Sequence, residues 1–320
     1  MTGKRKKSDR KGKPRHDAHV RAFKAEERKQ KIKKCRNYKK YERKRKGESR
    51  VKRVRIRQLK ELIRDSLPNA TETNVSRITC LVDMVYRDHS YRGHFEYMDD
   101  HSGSVNMYGL KKVYSKSYVQ QWAADLGDQM GFVLGLLLAQ AGEDASGTLL
   151  GDSSGFSIIK YEDWDDAKRG IISRREFNKL HILIAPHGRI VTCAVTAGRT
   201  HDSPVFREMY RRIPEGGGDT ILDAAYLARE NCRVIARSGR RPVICPKGNS
   251  AARGLHPMGQ MLKWHRDDRD GFEEVYHQRS LVETAFSSIK ERFGAVARAK
   301  TFKMRHLQLA LKCICYNLIA

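Results

Sequence analysis

The chain has 320 residues and carries 64 Lys and Arg against 37 Asp and Glu, a formal charge of +27 at neutral pH. That surplus argues against an acidic, ligand-buffering protein and makes a polyanion the first partner to consider. The charge is concentrated: residues 1–60 hold 28 Lys and Arg but 6 Asp and Glu, so the rest of the chain is close to neutral.

Residues 1–56 read as a basic arm, KRKKSDRKGKPR and then KQKIKKCRNYKKYERKRK, with too few apolar side chains to form a core. Such a segment is expected to be disordered or only partly helical when free; it suits a solvated tail that aids solubility or, better given its charge, an arm that binds phosphates without reading sequence. In a eukaryotic source its KRKK and RKRK runs would also suit a nuclear-localisation signal. No apolar run of the kind found in secretory signals accompanies the charge.

Residues 57–145 are predicted to be helical. Leu59, Leu62, Ile63 and Leu67 form one stripe that Pro68-Asn69 ends. Thr71 suits the cap of a second helix with Val75, Ile78, Val82 and Val85 on one face. Ser115–Leu126 is expected to be a third helix. Met130–Ala141 is a fourth, more deeply buried one, and as the longest apolar stretch it is too short to span a bilayer. A helix-turn-helix, and hence a DNA-end-binding role, is compatible with this region.

The pattern changes over residues 146–320. Thr148–Gly151 leads into Asp152. Lys179–Pro186 and Ile190–Ala197 flank His187-Gly188-Arg189 as strand, tight turn and strand. A helix is predicted over Asp202–Arg212, a strand over Asp219–Tyr226 containing Asp223, a helix over Leu227–Arg237 and a strand over Arg241–Pro246. Residues 248–275 read as a loop, and long helices are expected over about 276–294 and 303–319. This order predicts an α/β domain with a mixed sheet.

Two carboxylates, Asp152 and Asp223, end apolar runs, where desolvation is unfavourable unless a partner or a cation is present. A third, Glu283, lies on a predicted helix. At about 100° per residue, Tyr276, Arg279, Glu283 and Lys290 fall within an arc of about 60°, beside a stripe of Leu281, Val282, Ala285, Phe286, Ile289 and Phe293. Arg279 and Glu283 are i,i+4 neighbours and suit a surface ion pair. Lys290 lies about 10 Å farther along the axis, too far to join that pair. A row of cations and a phenol beside an acid suits a phosphate backbone crossing a metal site.

Tyr276-x2-Arg279-x3-Glu283-x6-Lys290 resembles the Tyr-Arg-Glu-Lys signature of DDE transposases from bacterial and archaeal insertion sequences. Asp152-Ser153-Ser154-Gly155 is similar to that family's first-Asp segment, and Asp223-Ala224-Ala225-Tyr226 to its second. Lys179-Leu180-His181 is similar to the start of its second strand, and Gly198–Ser203 to the loop after its third. The resemblance covers residues 146–320. It implies an RNase H-like fold, with Asp152, Asp223 and Glu283 as catalytic residues and as ligands of two Mg²⁺ ions, for which Mn²⁺ can substitute. Tyr276, Arg279 and Lys290 are then DNA-binding. The implied activity is cleavage at element ends and transfer of the 3′-OH into target DNA. The implied partners are double-stranded DNA and a second copy of the chain on paired ends, with no membrane. The implied location is the cytoplasm at the nucleoid, or the nucleus of a eukaryote. The spacings of 71 and 60 residues between the acids describe a compact member without a large inserted β-domain.

Alternatives are a domesticated or inactive DNA-binding descendant, a metal-dependent nuclease without strand transfer, and a basic RNA-binding or ribosome-associated protein, for which the first sixty residues alone would suffice. Asp163, Asp165 and Asp166 read as solvated loop acids, and Asp202 as a helix cap. Trp264 suits either base stacking or the edge of the core. His181 and Cys193 read as strand residues facing the core or the partner helix. The seven cysteines form no Cys-x-x-Cys pair, and their odd number and scatter favour a reducing compartment over a disulfide framework.

Overall fold

A computed structural model describes residues 56–65, 71–158, 177–248, 250–252 and 254–319. The basic arm, the Leu67-Pro68-Asn69 stop and the Asp163, Asp165 and Asp166 cluster lie outside the described residues. Residues 56–65 form helix α1, with Leu59 and Ile63 buried as the stripe predicts. Helix α2 (Glu72–Tyr86) starts at Thr71, whose Oγ1 accepts from the Asn74 amide at 3.3 Å. It is enclosed from Val75 almost continuously to Val85, which leaves little of it free to enter a DNA groove.

Two helices that the sequence reading passed over come next, α3 (Tyr91–Asp100) and α4 (Ser102–Tyr108). Their buried side chains include His94 and Tyr108. The Tyr108 hydroxyl donates to Asp83, which Arg87 also pairs at 2.8 Å. A core built on such polar contacts carries no clean apolar period. Helices α5 (Lys116–Asp128) and α6 (Met130–Ala141) match the two remaining predicted helices.

The sheet begins with β1 (Leu149–Ile158), followed by β2 (Phe177–Ile184) and β3 (Ile190–Ala197). Helix α7 (Asp202–Tyr210) leads to β4 (Asp219–Leu222), and α8 (Arg229–Arg237) to β5 (Arg241–Ile244). Strand order is β3-β2-β1-β4-β5, and the short β6 (Val296–Ala297) pairs with the far end of β1. The β1/β2 and β2/β3 pairs are antiparallel, and β1/β4 and β4/β5 are parallel. The β2–β3 hairpin turns at Gly188, whose φ of +90° suits glycine. The parallel neighbours need crossovers, which α7 and α8 supply.

The described core is a single cluster running from Ile56 to Cys315. Helix α6 is apolar on nearly every side; Val133, Leu134, Leu136, Leu137, Gln140 and Ala141 are buried, with the helix against β3 and the last helix, α12 (Phe302–Asn317), while the small residues Gly131, Gly135 and Ala139 face outward. Helix α12 also meets α2 and α5, so the helical region over 57–145 shares its core with the sheet, and residues 55–320 form one unit.

Three predicted boundaries change. The strand toward Tyr226 stops at Leu222, because Asp223 bends its side chain back to accept from the Ala225 amide at 2.9 Å and starts a 3₁₀ turn over Ala224–Tyr226. The predicted loop 248–275 contains α9 (Pro257–Asp267) and α10 (Arg269–Tyr276). Their starts are set by His256, which accepts from the Gly259 amide at 3.0 Å before Pro257, and by Asp268, which accepts from the Gly271 amide at 3.0 Å. The predicted helix 276–294 is segmented. Tyr276 ends α10, His277–Arg279 is a 3₁₀ turn, and α11 (Ser280–Phe293) carries Glu283 and Lys290.

Candidate active site

Gly151 prepares the position of Asp152. A Cβ at Gly151 would lie 2.5 Å from the Leu222 side chain and 2.7 Å from that of Leu183, so only glycine lets β1 sit flush between β2 and β4 here. Gly151 pairs with Leu222 in the parallel register. Asp152 and Asp223 are therefore the next residues of adjacent strands, at the point where β4 stops.

Asp152 has a mostly buried side chain. Its Oδ1 accepts from the Ser153 amide at 2.7 Å and its Oδ2 from Arg279 Nη2 at 3.1 Å. Arg279 Nη1 donates to Glu283 Oε1 at 2.7 Å. One guanidinium thus spans the first and third acids of the sequence-derived trio. Its Nε is buried and makes no hydrogen bond. The Asp152 carboxyl is pushed above the ordinary carboxylate range, first by burial and further by the negative charges of Asp223 and Glu283, against the opposing Ser153 amide and Arg279.

Lys290 Nζ donates to Ser154 Oγ at 2.7 Å and sits 5.3 Å from the centre of the Phe156 ring. Asp152 and Ser154 are two apart on β1, so their side chains share one face of the strand. The Arg279 and Lys290 contacts therefore both fall on that face. Tyr276 stacks on Phe272 with centroids 6.1 Å apart. Burial and the neighbouring Cys245 thiol push its phenol up to about 12, and the charges of Arg279 and Asp223 also reach it.

The acids are neighbours in the fold, but their carboxylates are not closed around a common point. Among the described residues no three His, Cys, Asp or Glu side chains are grouped tightly enough to hold a metal ion. Arg279 stands between Asp152 and Glu283 instead. The residue chemistry nevertheless suits a hard divalent cation: the three carboxylates offer oxygen donors, and at Asp152 burial and two like charges outweigh the opposing Ser153 amide and Arg279.

Sequence reasoning missed a second polar group beside Asp152. Asp202 caps nothing; it accepts from Lys179 Nζ at 2.7 Å and from Ser153 Oγ at 3.4 Å. His181, buried as expected, bonds Thr196 Oγ1 at 2.9 Å and lies 3.8 Å from Asp202. The signal was present: Lys and His alternate inside the otherwise apolar KLHILI strand, and polar residues on one strand face need partners. Trp264 lies on α9 rather than in a loop. It donates to Asp268 at 3.3 Å, with the Arg241 guanidinium 4.1 Å from its ring centre. Cys193 is buried against Cys313.

The order β3-β2-β1-β4-β5, antiparallel on one side of β1 and parallel on the other, with flanking helices, is the RNase H-like mixed sheet that the sequence resemblance implies. A family model described as "Transposase DDE domain" matches residues 146–318, from just before β1 to the end of α12. That span is more than half of the chain, and the chain belongs to the DDE transposase family.

Proposed function

We propose that this protein is an active DNA transposase: with Mg²⁺ it cuts double-stranded DNA at the ends of its element and joins the freed 3′-OH to target DNA. The observation that carries the reading is the meeting of Asp152 and Asp223 on adjacent parallel strands, with Glu283 tied to Asp152 through Arg279. Asp152, Asp223 and Glu283 would hold two divalent ions, Mg²⁺ or Mn²⁺. When bound, such ions supply the Lewis acidity that in-line displacement at a phosphodiester requires.

The remaining residues bind and orient the substrate. Lys290 supplies a point charge beside β1. Arg279, with planar N–H donors, suits bidentate contact with a phosphate once it leaves the carboxylates. Tyr276, held by Phe272, presents a neutral phenol at physiological pH, which can donate to a phosphate oxygen. The basic arm adds affinity that depends on salt rather than sequence. No helix of the described residues is long and apolar enough to cross a membrane. The proposed place of action is chromosomal DNA, at the nucleoid or in a nucleus, with two copies on paired ends.

The test uses full-length protein, Mg²⁺ and duplexes carrying the inverted repeats that flank its reading frame. Expected products are nicked ends with a free 3′-OH and, after a target plasmid is added, joined strands. Asp152→Asn, Asp223→Asn and Glu283→Gln should each reduce cutting to background while DNA affinity stays within a few-fold. Retained cutting in any one of them removes that residue from the site. Cleavage without joining would leave a metal-dependent nuclease, and binding without cleavage an inactive descendant.

A further inference from the structure

Asp202 opens α7, yet no side chain caps that helix and the N-cap position is His201. Its carboxylate turns toward the sheet, where Lys179 Nζ and Ser153 Oγ donate to it at 2.7 and 3.4 Å. Lys179 also donates to the Thr200 carbonyl at 3.1 Å, fixing the loop before α7 to β2. Ser153 is the residue whose amide holds Asp152 Oδ1 at 2.7 Å.

The next residue, Ser203, reaches the turn that follows the other aspartate. Its Oγ donates to the Ala225 carbonyl at 3.3 Å, and the Ala225 amide holds Asp223 Oδ1 at 2.9 Å. Buried Asn231 closes this side, donating to Ser203 Oγ at 3.1 Å and to the Tyr226 carbonyl at 2.7 Å. Two consecutive residues at one helix start therefore brace residues one and two positions beyond the two aspartates, Ser153 and Ala225.

Stability alone is a weak reason for the largely buried Lys179–Asp202 pair, since desolvation of both charges offsets much of their attraction. We propose that Asp202 is a positioning residue: held by Lys179, it fixes Ser153 and through it the direction of the Asp152 carboxylate, while Ser203 fixes the Asp223 turn. The proposal rests on the function proposed above. Partners that orient cation ligands typically change metal affinity or activity by about 10- to 100-fold when removed.

The decisive variant is Asp202→Asn in the full-length protein, beside Asp202→Glu and Glu208→Gln, an exposed change on the same helix. For Asp202→Asn, kcat for cutting element ends should fall about 10- to 100-fold with KM for DNA unchanged. Mn²⁺ affinity, read by electron paramagnetic resonance without DNA, should weaken in parallel. Asp202→Glu should recover part of both, and Glu208→Gln should match the parent. Wild-type kcat and Mn²⁺ affinity in Asp202→Asn would overturn the proposal, as would equal losses in Glu208→Gln. If Asp202→Asn does not fold, Ser153→Ala decides: it cuts the link to Asp202 and keeps the amide, and an unchanged kcat and Mn²⁺ affinity there also overturn the proposal. A parent protein that neither binds Mn²⁺ nor cuts DNA would instead sink the parent function.

Discussion

Arg279 and Asp152, 127 residues apart in sequence, meet at 3.1 Å, and the same guanidinium holds Glu283 at 2.7 Å. A monovalent cation thus stands between two proposed ligands of a divalent one. The two compete for the same carboxylates, so the ion should bind more tightly once the guanidinium is gone. Arg279→Gln is expected to tighten Mn²⁺ binding several-fold in the DNA-free protein, read by electron paramagnetic resonance. It should nevertheless cut DNA more slowly, because a phosphate grip is lost. Unchanged or weaker Mn²⁺ binding would show that Arg279 does not occupy the ion's place.

Asp152 carries a thermodynamic consequence of the same crowding. Its folded-state pKa is raised, by burial first and by Asp223 and Glu283 as well. A carboxyl raised above its unfolded value favours folding below the unfolded pKa and loses that contribution as pH rises through the folded one. At pH 7 without divalent cations, ionised Asp152 therefore opposes folding. Asp152→Asn should raise the Tm of the cation-free protein at pH 7, and the gain should disappear on acidification below the ordinary aspartate range. Added Mg²⁺ should raise the Tm of the parent but not of the variant. A variant less stable than the parent at pH 7 would place the Arg279 pair above the burial penalty.

The positions of the two aspartates were legible because they end apolar runs, and the Glu283 helix because an apolar stripe at helical spacing runs beside Glu283, patterns that burial imposes on sequence. Strands β2 to β5 were legible for the same reason, to within a few residues, whereas β1 runs on past Asp152 to Ile158 and the short β6 went unread. Tyr226 shows the limit: DTILDAAY is apolar enough to read as one strand, but the Asp223 side chain captures the Ala225 amide and ends the strand before it. Asp202, following His201 at the start of a predicted helix, was read as its cap. Its actual partners, Lys179 and Ser153, come from other strands, and no local spacing reports a contact across 49 residues. Helices α3, α9 and α10 went unread because their starts rely on single bonds from Ser90, His256 and Asp268, inside stretches rich in charge.

Lys290 tests whether the cations near β1 are placed or merely abundant. It is fixed at 2.7 Å to Ser154 and lies over Phe156, so its ammonium is localised before any DNA arrives. Lys290→Ala should lower the cutting rate by about 10-fold or more, since misplacement of a reacting group by about 1 Å can lower a rate by about 100-fold. Its effect on affinity should be no larger than that of one lysine in the arm. Equal effects on cutting from Lys290→Ala and from Lys33→Ala would assign both to diffuse electrostatics.

The arm itself should act through number rather than place. Residues 1–60 hold 28 Lys and Arg, far more than solubility requires. Each phosphate neutralised releases counterions, so the logarithm of affinity falls linearly with the logarithm of salt, by about 0.9 per phosphate on B-form DNA. Deleting residues 1–56 should therefore weaken binding most at low salt and flatten that slope, for element ends and for random duplex alike. Filter binding or fluorescence anisotropy from low to moderate salt reads both quantities. Affinity and slope that survive the deletion would move DNA binding from the arm to the folded unit.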